Sequence, residues 1–433
     1  MMMRKIRVLL PVLLCLLLAG CGTGKENAVK PETTEPAVTS DTLVVEKVEN
    51  LPADFILGMD ASCVPALENC GVRYYDHQGN EKDVYSILAE NGINYIRVRI
   101  WNDPFDEVGN GYGGGNCDLR NAVTIGKRAT ENGMQLLVNF HYSDFWADPA
   151  KQMVPKAWKN LDFSSKSEAL YAYTKASLQE LVDAGADIGM VQIGNETNGS
   201  LCGEKDWTSI CHLFSAGARA VREICPDAMV AVHFANPEKS GTYETYAKQL
   251  EIHQVDYDVF ASSYYPFWHG SMENLSDLLS EIARTYDKKV MVAETSYAFT
   301  AEDSDFSHNS IGAGSEVQGY PFSEQGQADL VRDVIDLVAN QTENGIGVFY
   351  WEGTWISAGG KTFEENAALW EKYGAGWASS YAGQYDPDDA GKWYGGCAVD
   401  NQAFFDAKGH ALESLKVFAL IRQGNDPAGE TVK

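Results

Sequence analysis

Two apolar runs in this sequence lead to a glutamate. Residues 191–195 precede Glu196, and residues 290–293 precede Glu294. Short apolar runs bounded by polar residues are typical of strands buried on both faces of a parallel sheet. Carboxylates at the ends of such strands meet at the C-terminal rim of a β/α barrel. A pair of carboxylates suits glycoside hydrolysis, in which one protonates the leaving oxygen and the other attacks the anomeric carbon or activates water.

The elements that must position these glutamates alternate along the chain. Apolar runs predict eight strands, at 55–60, 95–100, 136–141, 190–195, 229–234, 259–264, 290–294 and 346–351. Amphipathic stretches between them predict helices, among them 83–91, 122–132, 167–184, 211–225 and 327–344. This alternation predicts an α/β fold, a single (β/α)8 TIM barrel. An open doubly wound sheet with a nucleotide site would need a glycine-rich loop after its first strand, whereas the glycine-rich segment 111–115 follows no strand and begins no helix.

Five multi-residue segments carry a family resemblance. In chain order they are Trp146-Ala147-Asp148-Pro149, Asn195-Glu196, Ser263-Tyr264-Tyr265-Pro266-Phe267, Glu294-Thr295-Ser296-Tyr297 and Phe349-Tyr350-Trp351-Glu352. Together they resemble glycoside hydrolase family 53, the endo-β-1,4-galactanases, from about residue 55 to about residue 418. We therefore expect one catalytic domain at 51–425, in which the aromatic segment 358–400 is an extended last βα loop and a final helix lies near 411–423.

The resemblance implies roles for the residues at the strand ends. Glu196 resembles the acid/base and Glu294 the nucleophile of a retaining enzyme, whose carboxyl groups stand roughly 5 to 5.5 Å apart. Arg99 matches an arginine that lies near the nucleophile and would keep it ionised; its alternative role is a structural ion pair. Asn195 resembles the residue that donates to the sugar 2-hydroxyl.

Further substrate contacts are implied by the same resemblance. The indole of Trp146 is expected to stack on a galactose face, and Asp144 to bind sugar hydroxyls. Asp60, at the end of the first strand, is expected to orient the site from beneath. The other expected contacts are His141, Tyr265, Trp268 and Trp351. The implied substrate is galactan or arabinogalactan. The alternatives are another retaining barrel glycanase, such as a mannanase or a cellulase, and an inactive sugar-binding lipoprotein.

The segment after the second glutamate suggests a structural calcium site. Asp303, Asp305, Ser307 and Asn309 bear oxygen at alternate positions, which suits the six to eight oxygen ligands of calcium. Bacterial members of the resembled family complete this site with a late segment, here containing Cys397 and Asp400. The chain departs from the family at Ser307, where histidine is common, and Cys397 offers only its carbonyl. A solvated acidic loop is the alternative.

The N-terminus predicts export. Arg4, Lys5 and Arg7 precede an apolar run that is too short to cross a bilayer as a helix and that ends in Leu18-Ala19-Gly20-Cys21. This pattern resembles a bacterial lipobox, so residues 1–20 are a predicted signal peptide and Cys21 a predicted lipidation site; an ordinary signal peptide is the alternative. Residues 21–50 are interpreted as a flexible linker and 426–433 as a tail. We expect an extracellular, membrane-anchored protein.

The net charge narrows the classes of molecule that this protein could bind. The formal net charge of −27 disfavours nucleic acid and anionic membrane surfaces, while a neutral polysaccharide is indifferent to it. Membrane association is expected only through the lipid, and the chain is expected to be a monomer.

Seven of the nine cysteines lie beyond residue 21, so not all can pair within one chain. Cys63 with Cys70 and Cys202 with Cys211 are candidate disulfides, and no Cys-x-x-Cys spacing indicates a zinc site.

Overall fold

Eight parallel strands close into a barrel in the order in which they occur along the chain. The computed structural model describes residues 43–388, 390 and 395–425. The strands are β1 (Ile56–Asp60), β2 (Tyr95–Ile100), β3 (Gln135–Phe140), β4 (Ile188–Ile193), β5 (Met229–Phe234), β6 (Val259–Ser263), β7 (Lys289–Thr295) and β8 (Gly345–Tyr350). β8 pairs with β1, with Gly58 beside Phe349. The predicted TIM barrel is confirmed.

The barrel interior is apolar near the start of the strands and polar near their ends. Buried Tyr95, Leu137, Met190 and Phe349 belong to one cluster inside the barrel. Gly58 makes room for this packing, because a Cβ there would come within 2.1 Å of the Phe349 ring. Each large apolar side chain buried here contributes about 1.5–3 kcal/mol. This rigid lower layer supports the charged residues above it.

Helices cover the outside of the barrel. They are α1 (Val64–Asn69), α2 (Val84–Glu90), α3 (Leu119–Glu131), α4 (Phe163–Asp183), α5 (Trp207–Ile224), α6 (Thr242–Ile252), α7 (Met272–Tyr286), α8 (Glu324–Asp336), α9 (Phe363–Tyr373) and α10 (Val417–Leu420). Four helices begin about one turn earlier than predicted, since Asp118, Asp162, Asp206 and Ser323 cap α3, α4, α5 and α8 with side-chain hydrogen bonds. The first turns of these helices lack the apolar periodicity on which the prediction relied.

The long segment after β8 is more ordered than a loop. It contains α9 and a 3₁₀ turn at Ser380–Gln384. Trp370 is buried in the main core, and the predicted final helix is reduced to a 3₁₀ turn at Glu413–Lys416 followed by α10. Two aromatic residues of this segment, Trp393 and Tyr394, lie outside the described residues. The segment builds part of the barrel rim.

The predicted linker is wrong for residues 43–50. Leu43, Val45 and Val48 are buried, and the amide of Val48 donates to Ile421 O at 2.8 Å. Asn340 also donates to Glu49 O at 2.9 Å. These residues belong to the same compact unit as the barrel, because their apolar side chains pack against it. Cys21, the signal peptide and the 426–433 tail lie outside the described residues.

The seven cysteines beyond residue 21 carry free thiols in the described structure. Neither Cys63 with Cys70 nor Cys202 with Cys211 forms a disulfide, so both candidate pairs are wrong. None of the described helices has the length and apolar character needed to cross a bilayer.

Candidate active site

A cleft of about 840 Å³ opens at the C-terminal ends of the strands, and both glutamates line it. Other residues of the site line it too: Arg97, Arg99, His141, Trp146, Asn195, Tyr265, Trp268, Trp351 and Trp377. The barrel therefore brings together most of the predicted site residues. Asp60 and Asp144 are the predicted substrate contacts that do not line it.

Glu294 lies within β7 and is held by two donors. Arg97 Nη2 is 2.7 Å from Oε1, and the hydroxyl of Tyr265 donates to Oε2 at 2.9 Å. The side chain is only 5% exposed. A guanidinium and a hydroxyl donor both stabilise a carboxylate over a carboxylic acid. This carboxylate is thus suited to act as a nucleophile.

Glu196 lies three residues beyond the end of β4, on a bend with a left-handed backbone (φ 47°). Such a conformation is uncommon for residues other than glycine and often marks a functional site. The bonded neighbour is a neutral hydroxyl, because Ser263 Oγ donates to Oε1 at 2.6 Å. Removal from water raises the pKa of Glu196 well above its usual value, and the charge on Glu294 raises it further. These surroundings favour the protonated form, as a general acid requires.

The arginine beside the nucleophile is Arg97, and the prediction of Arg99 is wrong on this point. Arg99 instead pairs with Glu352 and with Asp60. Alternation along β2 turns both arginines into the barrel, so the pattern alone does not say which one reaches Glu294. Arg99 therefore takes the alternative role, a structural ion pair, although it still lines the cleft.

Asn195 is fixed so that one amide hydrogen remains free for a ligand. Its Oδ1 accepts from Arg97 at 2.9 Å and from Asn139 at 3.1 Å. Its Nδ2 donates to Ala147 O at 2.9 Å. Because an amide nitrogen carries two hydrogens, the second is available to a sugar hydroxyl in the cleft.

The indoles that are accessible for stacking on sugar rings are not all the predicted ones. The ring of Trp146 packs on Trp377 at 4.6 Å and under the Arg99 guanidinium at 4.4 Å. It is 6% exposed, so stacking of its face on galactose is contradicted. Trp351 and Trp377 are partly exposed in the cleft, and Trp268 is 54% exposed at its edge. These three indoles offer the platforms for sugar rings.

His141 and Asp144 have different environments although they lie close in sequence. His141 Nδ1 accepts from the amide of Ala147 at 3.1 Å, and burial together with Arg99 and Arg97 lowers its pKa well below the usual value. The neutral ring therefore carries its hydrogen on Nε2. Asp144 is buried and bonds loop amides, those of Asp103 at 3.0 Å and Lys156 at 2.7 Å. The prediction that Asp144 binds sugar hydroxyls is contradicted, since both oxygens organise the rim.

Asp60 lies beneath the cleft and does not reach substrate. It is fully buried and its Oδ2 is 3.1 Å from Arg97 Nη1. The sequence predicted Asp60 as a substrate contact, whereas in the structure it supports Arg97. Its expected orienting role from beneath agrees with this position.

A cluster of acidic residues lies on the rim beside the cleft. Oxygens of Asp303, Asp305 and Asp400 lie within 4.8 Å of one another. Burial raises the pKa of Asp305 to about 7, and the charge on Asp400 contributes. Buried Oδ1 atoms of Asn309 and Asp400 have no hydrogen-bond partner among the described residues. Converging carboxylates with unpartnered oxygens fit a hard cation such as calcium.

The remaining predicted calcium ligands are close to this acidic cluster. Ser307 Oγ accepts from Gly396 N at 3.1 Å. Cys397 N donates to Asp305 Oδ2 at 2.7 Å, while its thiol points to Trp355 O. Only the carbonyl of Cys397 is thus left as a ligand, as expected from sequence. Ser307 and Asn309 also line the cleft, so the loop after β7 contributes to the acidic cluster and to the cleft.

Sequence reasoning missed several residues of the site. The prediction did not single out Arg97, Ser263, Glu352 or Trp377, although Ser263 and Glu352 lie within the segments that carry the family resemblance. The signal for Arg97 was its two-residue spacing from Arg99, which places both inside the barrel. Trp377 comes from the segment after β8, whose path no periodicity reveals.

Comparisons with known proteins agree with this geometry. A family model described as Glycosyl hydrolase family 53 matches residues 56–418. An endo-beta-1,4-galactanase of Bacillus subtilis (strain 168) is 57% identical over 406 residues, which cover 94% of this chain and 95% of that protein. An arabinogalactan endo-beta-1,4-galactanase of Cellvibrio japonicus (strain Ueda107) is 34% identical, covering 75% and 86%. The solved Ignisphaera aggregans GH53 catalytic domain superposes with a TM-score of 0.79 at 40% identity, covering 88% of this chain and 100% of that one. The chain belongs to glycoside hydrolase family 53.

Proposed function

We propose that this protein is an endo-β-1,4-galactanase that hydrolyses galactan or arabinogalactan with net retention of anomeric configuration. The observation that carries the proposal is the pair of strand-end glutamates in one cleft, one bonded to a guanidinium and the other to a neutral hydroxyl. The galactanase names of relatives that match most of the chain support the substrate. Membership of glycoside hydrolase family 53 supports the retaining course, in which one carboxylate is the nucleophile and the other carboxyl group is the acid.

The reaction proceeds in two displacements. In the first, Glu294 attacks the anomeric carbon while the proton of Glu196 moves to the glycosidic oxygen, so that the leaving chain departs as an alcohol. In the second, Glu196 takes a proton from water, and the water oxygen displaces Glu294 from the sugar. Departure of the leaving chain makes Glu196 a carboxylate, which is the form that a general base needs. Asn195 holds a free N–H for the sugar that reacts.

Activity and stereochemistry can be tested together. Purified protein is incubated with galactan, mannan and cellulose, and reducing ends are measured; the anomer first formed from galactan is read by proton NMR. We expect release from galactan and an initial β-anomer. Release from mannan or cellulose in place of galactan would favour the alternative glycanases, and an initial α-anomer would exclude double displacement. Binding to galactan without release would indicate the inactive sugar-binding protein.

We also propose that the rim cluster of Asp303, Asp305 and Asp400 holds a structural calcium ion, with oxygen from Ser307, Asn309 and the Cys397 carbonyl completing the set. The converging carboxylates and the unpartnered buried oxygens support this. The ion would join the loop after β7 to the segment after β8 and take no part in the chemistry. Chelation is expected to lower the melting temperature, and Asp400→Asn to remove that dependence. An unchanged melting temperature would favour the solvated acidic loop.

The anchored location is likewise a proposal. The lipobox-like Leu18-Ala19-Gly20-Cys21 supports lipidation of Cys21, export and attachment to the outer face of a membrane through the lipid alone. Wild-type protein is expected in the membrane fraction of the host and Cys21→Ala in the medium. Equal partition of the two would indicate an ordinary signal peptide. Light scattering of the soluble domain tests the expected monomer.

A further inference from the structure

A chain of hydrogen bonds runs behind Glu196, away from the cleft. Ser263 Oγ lies 2.6 Å from Glu196 Oε1 and 2.9 Å from His233 Nε2. Ser263 and His233 are both fully buried. They lie at the ends of β6 and β5, which pair in the barrel. The glutamate is thus supported by the rigid sheet, although it lies on a bend itself.

The donors around His233 decide which ring nitrogen carries hydrogen. The backbone amide of Glu196 donates to Nδ1 at 3.3 Å, and Gln192 Nε2 lies 3.0 Å from the same atom. The orientation of the Gln192 amide follows from Arg97, whose Nε donates to Oε1 at 3.2 Å. Asn195 Oδ1 also lies 3.2 Å from Nδ1, but this oxygen already accepts from Arg97 and Asn139, whereas the backbone amide of Glu196 can only donate. Nδ1 therefore accepts, and the hydrogen of the ring is on Nε2.

Burial keeps this histidine neutral. Loss of water lowers the pKa of His233 well below its usual value, and the charges of Arg97 and His269 act in the same direction. His141 also faces the ring. A neutral ring has one hydrogen, so Nε2–H donates to Ser263 Oγ. Among the described residues, the acceptor that remains for the serine hydroxyl is Glu196 Oε1.

We propose that His233 and Ser263 are positioning residues that keep Glu196 Oε1 as an acceptor and thereby confine the acid proton to Oε2. This inference rests on the proposed role of Glu196 as the acid. If the proton sat on Oε1, the serine hydroxyl would lose its acceptor in a fully buried place, which is costly. The proton is thus held on the oxygen that is not engaged by the barrel, and water returns a proton to the same oxygen in the second displacement.

The backbone of Glu196 belongs to the same arrangement. Its left-handed conformation (φ 47°) turns its amide onto His233 Nδ1, and the next amide, that of Thr197, donates to His233 O at 2.9 Å. One histidine therefore orients both the main chain and, through Ser263, the side chain of the acid. The strained backbone is maintained because two hydrogen bonds to β5 determine it.

Removing the hydroxyl of Ser263 should raise the pKa of Glu196. A donor to Oε1 favours the carboxylate, so Ser263 lowers the pKa of Glu196 against the larger raising effects of burial and Glu294. Without it, Glu196 stays protonated to higher pH. The charged and titratable groups that face Glu196 and contribute to the same profile are Glu294, Asp148, Arg97, Tyr243 and Tyr265.

The test compares Ser263→Ala with Ser262→Ala. Ser262 is the neighbouring buried serine of β6; its hydroxyl bonds Tyr243 at 2.7 Å and the backbone O of Ser263 at 2.9 Å, and none of its described hydrogen bonds reaches the carboxyl group of Glu196. Initial rates on galactan and on a nitrophenyl β-1,4-galactobioside are measured against pH, with melting temperatures as a check on folding. The aryl substrate has a leaving group that needs little protonation.

For Ser263→Ala we expect kcat on galactan to fall about tenfold or more. The fall on the aryl substrate should be smaller, and the alkaline limb should move up by about one pH unit. Ser262→Ala should leave both profiles in place. An alkaline limb that does not move, or equal losses on the two substrates, would overturn the proposed positioning of Glu196 by Ser263 and His233. Neither result would affect the proposed galactanase activity of the wild-type protein. Failure of the proposed function is a separate result, seen when wild-type protein does not cleave galactan.

Discussion

The ends of β4 and β7 present the same side chain to one cleft in opposite surroundings. Glu294 at β7 is bonded to the guanidinium of Arg97 and to the hydroxyl of Tyr265. Glu196 beyond β4 accepts a hydrogen bond from the neutral Ser263 hydroxyl, and burial together with the nearby Glu294 charge raises its pKa well above the usual value. The difference supports the proposed roles of Glu294 as nucleophile and Glu196 as acid, because a carboxylate is stabilised in one place and a carboxylic acid in the other.

This comparison also shows how the two residues depend on each other. The negative charge that makes Glu294 a nucleophile is one of the causes that keep Glu196 protonated. In the proposed mechanism, esterification of Glu294 to the sugar removes that charge, so that Glu196 loses its proton more easily and serves as the base. The proposed exchange of roles between the two displacements thus follows from their proximity.

The largest expected effect comes from removing the nucleophile. Glu294→Gln keeps the size of the side chain and removes its charge, so neither galactan nor an aryl galactobioside can form the covalent intermediate. We expect a loss of at least about four orders of magnitude on both substrates. Retention of more than about a hundredth of wild-type activity on either one, in a folded variant, would contradict the assignment.

Removing the acid should separate the two substrates. Glu196→Ala is expected to lose about 10² to 10⁴-fold on galactan, whose leaving alcohol needs a proton, and clearly less on the aryl substrate. Wild-type activity on galactan should persist at pH values above the usual pKa of a glutamate side chain and fall only at higher pH. The reason is that the raised pKa of Glu196 keeps its acid form present. Equal losses on both substrates would mean that Glu196 is not the acid.

The two arginines of β2 provide a matched pair. Arg97→Lys keeps the charge but cannot reach Glu294, Asn195 and Asp60 together, as the planar guanidinium does. We expect kcat to fall about ten- to a hundredfold. Arg99→Lys, at the arginine that pairs with Glu352, is the control and should lose clearly less of its kcat. The reverse pattern would restore the sequence-based choice of Arg99.

The smallest effect is expected at the edge of the cleft, outside both glutamate environments. Trp268 is 54% exposed, so Trp268→Ala should change folding little. Loss of an aromatic platform worth about 0.5–1.5 kcal/mol should raise KM for galactan roughly two- to tenfold without moving the pH limbs. Trp207→Ala, on α5 away from the cleft, is the control for KM. A shift of either limb of the pH profile in Trp268→Ala would show that Trp268 influences the protonation of Glu196 or Glu294.

Much of the fold could be predicted because its signals are local. The apolar runs marked all eight strands within about two residues, and β2 and β5 coincide with their predicted bounds. Helix starts were less accurate, since the caps Asp118, Asp162 and Asp206 precede turns without apolar periodicity. The buried side chains of Leu43, Val45 and Val48 were misjudged because a short apolar segment is ordered only by the surface against which it packs.

From the sequence alone came the barrel, the two glutamates and the family, since strand periodicity and ordered motifs are properties of the chain itself. Only the tertiary structure decided that Arg97 rather than Arg99 reaches the nucleophile, that Trp146 is covered by Trp377, and that Asp144 binds loop amides. The physical reason is the same in each case. Alternation says which side of a strand a residue takes, whereas the layer it occupies and the partner it meets depend on segments that are distant in sequence.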